Sequence, residues 1–321
     1  MKKWRGCCAH IWGKISIDTL NYFPIYKILK TSGCVVVLLL LSNCDNRQLK
    51  KKRQETKSDT AQARAELPKK VEITYHALSL KKGLTDSLKK LYRPSEIMTI
   101  LTLNRIDIDH IQRADTIIIP DQMLVDLNQY SPYPQYLPIL KNIHKIIFFS
   151  YATQAFGVYE SGKLVRWGAT NMGKKIHPTP TGVFYANWKA EETISTDNDE
   201  WILKWNVNVE NKHGIGWHQY VLPGYPASHS CLRLMEHDAL YLYDWVDQWK
   251  LKNSYTIILK GTPVVIFGTY PFGGRKPWKA LLTNPYALDI DEKTINAEVE
   301  PHLPEIIRWQ EVRDSISSSV L

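Results

Sequence analysis

Apolar positions along this chain change their pattern several times, and each change predicts a different kind of segment. Gly33 to Leu41 reads GCVVVLLLL, nine consecutive non-polar residues after Lys27 and Lys30 and before Ser42-Asn43-Cys44. A bilayer takes about 20 such residues to span, so the run fits the apolar centre of a signal peptide. Residues 45–70 carry no aromatic side chain and almost no branched aliphatic one. Too little apolar surface is available there to offset the entropy of ordering, and a flexible tether is expected. Residues 71–126 predict a small α/β unit. A strand-like VEITYHA is followed by helical stretches over Asp86 to Tyr92 and Ser95 to Leu103, then Asn104, then a buried strand from Thr116 to Ile119 closed by Pro120. Ser131 to Pro138, with three prolines in eight residues, reads as a stiff connector.

From residue 143 onward strands dominate. Lys145 to Phe149 is one, and Gly157 to Tyr159 and Lys163 to Trp167 form a hairpin through Glu160-Ser161-Gly162. Trp201, Leu203, Trp205, Val207 and Val209 alternate with Lys204, Asn206 and Asn208, the period of a half-buried strand. The two tryptophans of that stripe are expected in the core rather than as a sugar platform. Ile257 to Leu259 and Val264 to Phe267 bracket Gly261-Thr262-Pro263 and complete a mainly β domain. One helix interrupts it, with Ala239, Leu242, Tyr243, Val246 and Trp249 at helical spacing and Glu236 and Asp238 favouring its N-terminus. A second helix is predicted over Pro304 to Ile316, in a C-terminal extension (269–321) with no assigned role.

Composition changes this picture at two points. The formal charge of +9 suggests a polyanion partner, but residues 1–44 hold six Lys or Arg and one acid. Removing them leaves 35 basic against 31 acidic residues, +4 for residues 45–321. No base-reading motif accompanies this charge, and nucleic acid is excluded as a partner. The cysteines are Cys7, Cys8, Cys34, Cys44 and Cys231, so one alone lies in the folded body. Neither a CxxC pair nor a His/Cys metal spacing is found there, so no metal site is expected.

Leu41-Ser42-Asn43-Cys44 resembles a bacterial lipobox, with Asn43 where Gly, Ala or Ser is usual. That resemblance implies lipidation at Cys44, residues 1–44 as a signal peptide, and a membrane lipid anchor in a bacterial cell envelope, periplasmic or outer-membrane facing. Lys50 to Arg53 is then a solvated stretch or a weak electrostatic hold on the membrane. Cys231 becomes the sole cysteine besides the acylated one, in a compartment that normally pairs thiols or eliminates them, which points to a reactive group. Residues 71–126 resemble a LysM module, implying contact with the glycan of peptidoglycan. They depart from it at Gly83-Leu84-Thr85-Asp86 and at Arg113-Ala114-Asp115, and a purely structural subdomain is the alternative.

The most informative stretch runs from Gly214 to Leu234. His218, Gly224, Ser228, His229, Cys231 and Arg233 stand in the order of the signature of the L,D-transpeptidase (YkuD-type) catalytic domain, with Ser230 where Gly is usual. Gln154, Tyr159-Glu160-Ser161-Gly162, and Pro178 to Gly182 with Phe184 extend the resemblance over residues 143–268. It implies a β-sandwich with a helix beside the catalytic Cys loop. It also implies peptidoglycan stem peptides as substrates, no cofactor, Cys231 as nucleophile and His218 as base. Chemistry agrees, since a thiol of pKa about 8.5 needs a base or a cationic neighbour at neutral pH, and His is suited to that role. The Pro- and Gly-rich spacer can return the chain from His218 to Cys231. Backbone N–H groups at Ser230 and Cys231 would then stabilise an oxyanion on the way to a thioester. His213 is the rival base, and His218 is favoured by the Trp217-His218 step and the spacer after it. His229 is a second base or an orienting group, and Arg233 a clamp on the loop. The expected reaction is 3→3 cross-linking with release of D-Ala. Its rivals are a carboxypeptidase or protein-anchoring variant and a non-catalytic wall-binding lipoprotein.

Overall fold

The computed structural model describes residues 70–79, 84–195, 198 and 200–318. The segments expected as a signal peptide ending at Cys44 and as a tether, up to residue 69, lie outside the described residues.

At the N-terminal side, strand β1 (Tyr75–Ser79) pairs antiparallel with β2 (Thr116–Pro120), and helices α1 (Leu84–Leu91) and α2 (Pro94–Asn104) lie between them in the chain. Asn104 explains why an amide ends α2. Its Nδ2 donates to Ile100 and Ile118 carbonyls and its Oδ1 accepts from the Ile118 N–H, all at 2.8 Å. The buried amide thus replaces water for backbone groups that would otherwise be orphaned. The strand-helix-helix-strand order is the expected one.

Ten of the remaining eleven strands are β3 (Ile146–Ser150), β4 (Ala155–Glu160), β5 (Lys163–Asn171), β6 (Gly182–Tyr185), β7 (Lys189–Ile194), β8 (Ile202–Glu210), β9 (Ile215–Gln219), β10 (Leu232–Leu234), β11 (Lys250–Leu251) and β12 (Ile257–Leu259). With β13 (Pro263–Phe267) they make a nine-stranded sheet, ordered β6-β13-β3-β4-β5-β10-β9-β8-β7, and a small β11–β12 pair. The two edges, β6 and β7, are consecutive in sequence. Tyr185 to Lys189 spans at most about 14 Å, whereas nine strands laid flat would be roughly 38 Å across. The sheet therefore curls until its edges meet. Phe149 of β3 and Trp217 of β9, four strands apart in the order, accordingly touch with ring centroids 5.9 Å apart.

Alternation along β3 builds two cores. Ile147 and Phe149 point into the curl with Val158, Val207, Trp217, Leu232 and Leu234, closed by Ala239 and Leu242 of helix α3 (Glu236–Trp245). Ile146 and Phe148 face outward with Tyr159, Trp167 and Val265. That outer face is covered by Ile295 and Val299 of α4 (Glu292–Val299) and by Ile306 of α5 (Leu303–Ser318). The C-terminal extension thus has a structural role, and α4, capped by Asp291 accepting from the Thr294 N–H at 2.6 Å, is a helix the periodicity did not predict. The proline-rich connector is itself core, with the Tyr133 hydroxyl donating to the Ala155 carbonyl at 2.9 Å.

Two boundaries differ from expectation. Helix α3 ends at Trp245, before Val246 and Trp249. The β8 stripe is broken because Trp205 has φ +53° at a register shift, and Asn206 and Asn208 are buried while Trp201 precedes the strand.

Candidate active site

The pairing of β10 places the site. β10 is hydrogen-bonded parallel to β9 and antiparallel to β5, so Arg233 stands opposite both His218 and Asn171. Leu232 and Leu234 turn into the core, which leaves Cys231 and Arg233 on the other face with His218. These three share one pocket with Ser195, Trp201, Leu203, Tyr220, Ser228 and His229.

His218 is 4% exposed. Burial disfavours its cationic form and Arg233 adds to this, while a hydrogen bond to the Gln219 carbonyl opposes it; the net effect lowers its pKa to about 4. That hydrogen bond, 2.9 Å from Nδ1 to the carbonyl oxygen, sets the hydrogen on Nδ1 and leaves Nε2 as the acceptor of a neutral imidazole. His213 is elsewhere. It sits in the turn between β8 and β9, 65% exposed, bound to Glu210 Oε2 at 3.1 Å. The Arg233 guanidinium lies over the Tyr220 ring at 4.5 Å, and burial lowers its pKa.

The chain between His218 and Cys231 is held at several stations. The Tyr220 N–H donates to the Leu234 carbonyl at 3.1 Å. Gly224 turns the spacer with φ +78°. Asn171 Nδ2 donates to the Tyr225 carbonyl, and Asn171 Oδ1 accepts from the Ala227 N–H at 3.1 Å. Ser228 is pinned by backbone bonds to Met172 and Lys174, at 3.2 and 3.0 Å, and its hydroxyl donates to the Cys231 carbonyl at 2.5 Å. Ser230 has φ +82°, in the left-handed region. That region is costly for any residue with a Cβ, which gives a backbone reason for Gly at this place in the signature.

Lys174 donates to His229 Nε2. The His229 ring lies beside His177 and Trp201 at 4.9 and 5.5 Å. Trp201 is therefore a wall of the site and not core, correcting the expectation for the stripe; Trp205 packs on Tyr243 at 5.7 Å. Sequence reading missed Asn171, Lys174 and Tyr220, which carry no signature of their own. In the Pro178 to Gly182 segment the Thr179 hydroxyl accepts from the Gly173 N–H at 2.8 Å. Among the described residues no group of three or more His, Cys, Asp or Glu could hold a metal ion.

Residues 144–266 match the family model of YkuD, the L,D-transpeptidase catalytic domain. No curated protein matches the chain. Among solved structures, it is similar to an L,D-transpeptidase (Yku) from Stackebrandtia nassauensis, at 23% identity over 40% of this chain and 57% of that one, with a TM-score of 0.33. An L,D-transpeptidase from Mycobacterium tuberculosis H37Rv is similar at 21% identity over 39% and 58%, TM-score 0.31. A mutant L,D-transpeptidase from Enterococcus faecium is similar at 22% over 39% and 50%, TM-score 0.31. The chain thus spans between 50% and 58% of the length of these structures.

Proposed function

We propose that this protein is a cysteine-dependent peptidoglycan L,D-transpeptidase that forms 3→3 cross-links. The observation that carries the reading is the convergence of Cys231, His218 and Arg233 in one pocket, inside the segment that matches the L,D-transpeptidase catalytic domain. The pocket is small, about 30 Å³, so in this reading only the reacting carbonyl enters it. The remainder of a stem peptide lies across the surface beside it.

In this reading His218 Nε2 takes the Cys231 proton as the sulfur attacks the carbonyl of the third stem residue. Backbone N–H groups of Ser230 and Cys231 meet the oxyanion. Collapse forms a thioester and expels D-Ala, whose amine takes the proton back from His218. An amine on a neighbouring stem then attacks the thioester, losing a proton to His218 and restoring the thiol. Arg233 lies beside Cys231 as a fixed positive charge, and Ser228 holds the loop in register. Gly224, Asn171 and His229 position the chain around it.

Lipidation at Cys44, anchoring in the cell envelope and a glycan contact through residues 71–126 complete the proposal. Among the described residues no helix is long and apolar enough to cross a membrane. Incubating the protein with purified muropeptides and reading products by mass spectrometry tests the function. Dimers joined 3→3 with loss of D-Ala are expected; tripeptides alone would identify water as the acceptor, and unchanged muropeptides would refute the proposal.

A further inference from the structure

We propose that the N-terminal α/β unit is a working part of the catalytic loop, and that Asp107 is the positioning residue through which it acts. The inference rests on the reading of His218 and Cys231 as the reacting pair.

Between those two residues the chain makes an excursion from Gln219 to Ser230. Two of its stations are supplied by the end of β5 and the residues that follow it: Asn171 holds Tyr225 and Ala227, and Met172 and Lys174 hold Ser228. Tyr220 is held by the Leu234 carbonyl, and Leu222 and Pro223, next along the chain, are held from outside the sheet. Ile106 bridges Pro223 in antiparallel fashion. The Asp107 N–H donates to the Leu222 carbonyl at 2.9 Å, and Asp107 Oδ2 accepts from the Leu222 N–H at 2.6 Å. Both backbone groups of Leu222 are thereby satisfied by one residue 115 positions away.

Asp107 is itself fixed. Its Oδ1 accepts from the His110 N–H at 2.9 Å and lies 2.7 Å from His110 Nδ1. Beneath it, Ile106 and Leu222 are buried in one apolar cluster with Leu88, Ile100, Ile117, Ala169 and Met235. Met235 leads directly into α3, so this cluster supports both ends of the catalytic segment. Arg105 ties the same turn to the sheet. Its guanidinium, fully buried, donates from Nε to the Thr153 carbonyl at 2.9 Å and lies between the Trp167 and Trp278 rings at 5.6 and 5.7 Å.

A charge-assisted bond to a backbone N–H is stronger than a neutral one, and Leu222 is buried where water cannot replace it. Loss of the carboxylate removes one of the two bonds that hold Leu222 and loosens the spacer that joins His218 to Cys231. Small displacements from remote changes cost reacting groups roughly ten- to a hundredfold in rate. The unit read from sequence as either a glycan binder or a structural subdomain is thus assigned a task, holding the loop that carries the nucleophile.

The test uses the protein as it stands. Iodoacetamide alkylation of Cys231 is followed by quantitative peptide mapping from pH 5 to 9 in wild type, His218→Ala, Asp107→Ala, Asp107→Glu and Asp107→Asn. Circular dichroism and melting establish that each is folded. Asp107→Ala should slow alkylation at neutral pH about tenfold or more and shift its pH profile toward that of His218→Ala. Asp107→Asn, whose amide oxygen can still accept from Leu222, should restore most of the rate. Should Asp107→Ala not fold, Asp107→Glu decides, because it keeps the charge but displaces the carboxylate by a methylene. A wild-type rate and profile in a folded Asp107→Ala or Asp107→Glu overturns the proposal. Alkylation reads the thiol and no substrate, so inertness toward muropeptides would sink the proposed function and leave this result standing.

Discussion

His218 and Arg233 stand opposite each other across the parallel pairing of β9 and β10. One backbone register therefore delivers a neutral acceptor and a fixed cation to the face where Cys231 emerges, two residues before Arg233. A buried imidazole beside a guanidinium stays neutral, and neutrality is what a base requires.

His218→Ala should lower Cys231 acylation by about 10²–10⁴, the usual share of a positioned base. His213→Ala, in an exposed turn, should leave acylation near wild type. Raising the pH toward 9 should partly rescue His218→Ala, because more thiolate forms unaided. Stopped-flow or quenched mass measurement of acylation at two pH values decides between the two histidines.

Much of this was legible beforehand, for identifiable reasons. The apolar alternation of β3 and the hairpin at Ser161-Gly162 are local, and the signature from His218 to Arg233 is nearly contiguous, so both can be read from neighbours in the chain. Trp201 was misplaced because period two continues past the point where the strand ends; the left-handed Trp205 breaks the register. Asn171, Lys174 and Asp107 act through contacts formed only when distant segments meet, as with Asp107 and Leu222. No pattern along the chain announces such pairs. Helix α4 is short, with two buried apolar residues, too few for a clear period.

Ser230 provides a test of backbone geometry. A residue with a Cβ at φ +82° costs on the order of 1 kcal/mol relative to Gly. Ser230→Gly should keep acylation and melt no lower than wild type, while Ser230→Val, β-branched at the same φ, should lose both stability and rate. Melting curves and adduct formation on the same samples check this.

Acid should weaken the fold through His218. Its pKa is lowered from 6.5 in the unfolded chain to about 4 in the folded one, so between those values the unfolded state binds more protons. Stability contributed by the neutral ring is present above pH 6.5 and lost as pH falls toward 4, a change of about 3 kcal/mol. Urea unfolding at pH 7 and pH 4.5 should show a larger drop for wild type than for His218→Gln. Equal drops would mean the ring is not held neutral by burial.

Arg166 and Asp238 secure α3 behind the Cys loop. Arg166 donates from Nε and Nη2 to Asp238 Oδ1 at 2.9 and 2.7 Å, and Asp238 is 2% exposed. Removing the Arg166 cation leaves the buried carboxylate facing His237, 3.4 Å from Oδ1, at a cost of up to about 3 kcal/mol. Arg166→Ala should melt well below wild type, and Arg166→Ala with Asp238→Asn should recover part of the loss.

The most direct test of the central claim is to look for the acyl-enzyme itself. The protein is mixed with a stem tetrapeptide donor and no acceptor, quenched in acid, and weighed intact. The account predicts a mass increase equal to the donor less D-Ala, located on Cys231 by peptide mapping and missing from Cys231→Ala. Release of D-Ala undiminished in Cys231→Ala, or an adduct on any other residue, would contradict it.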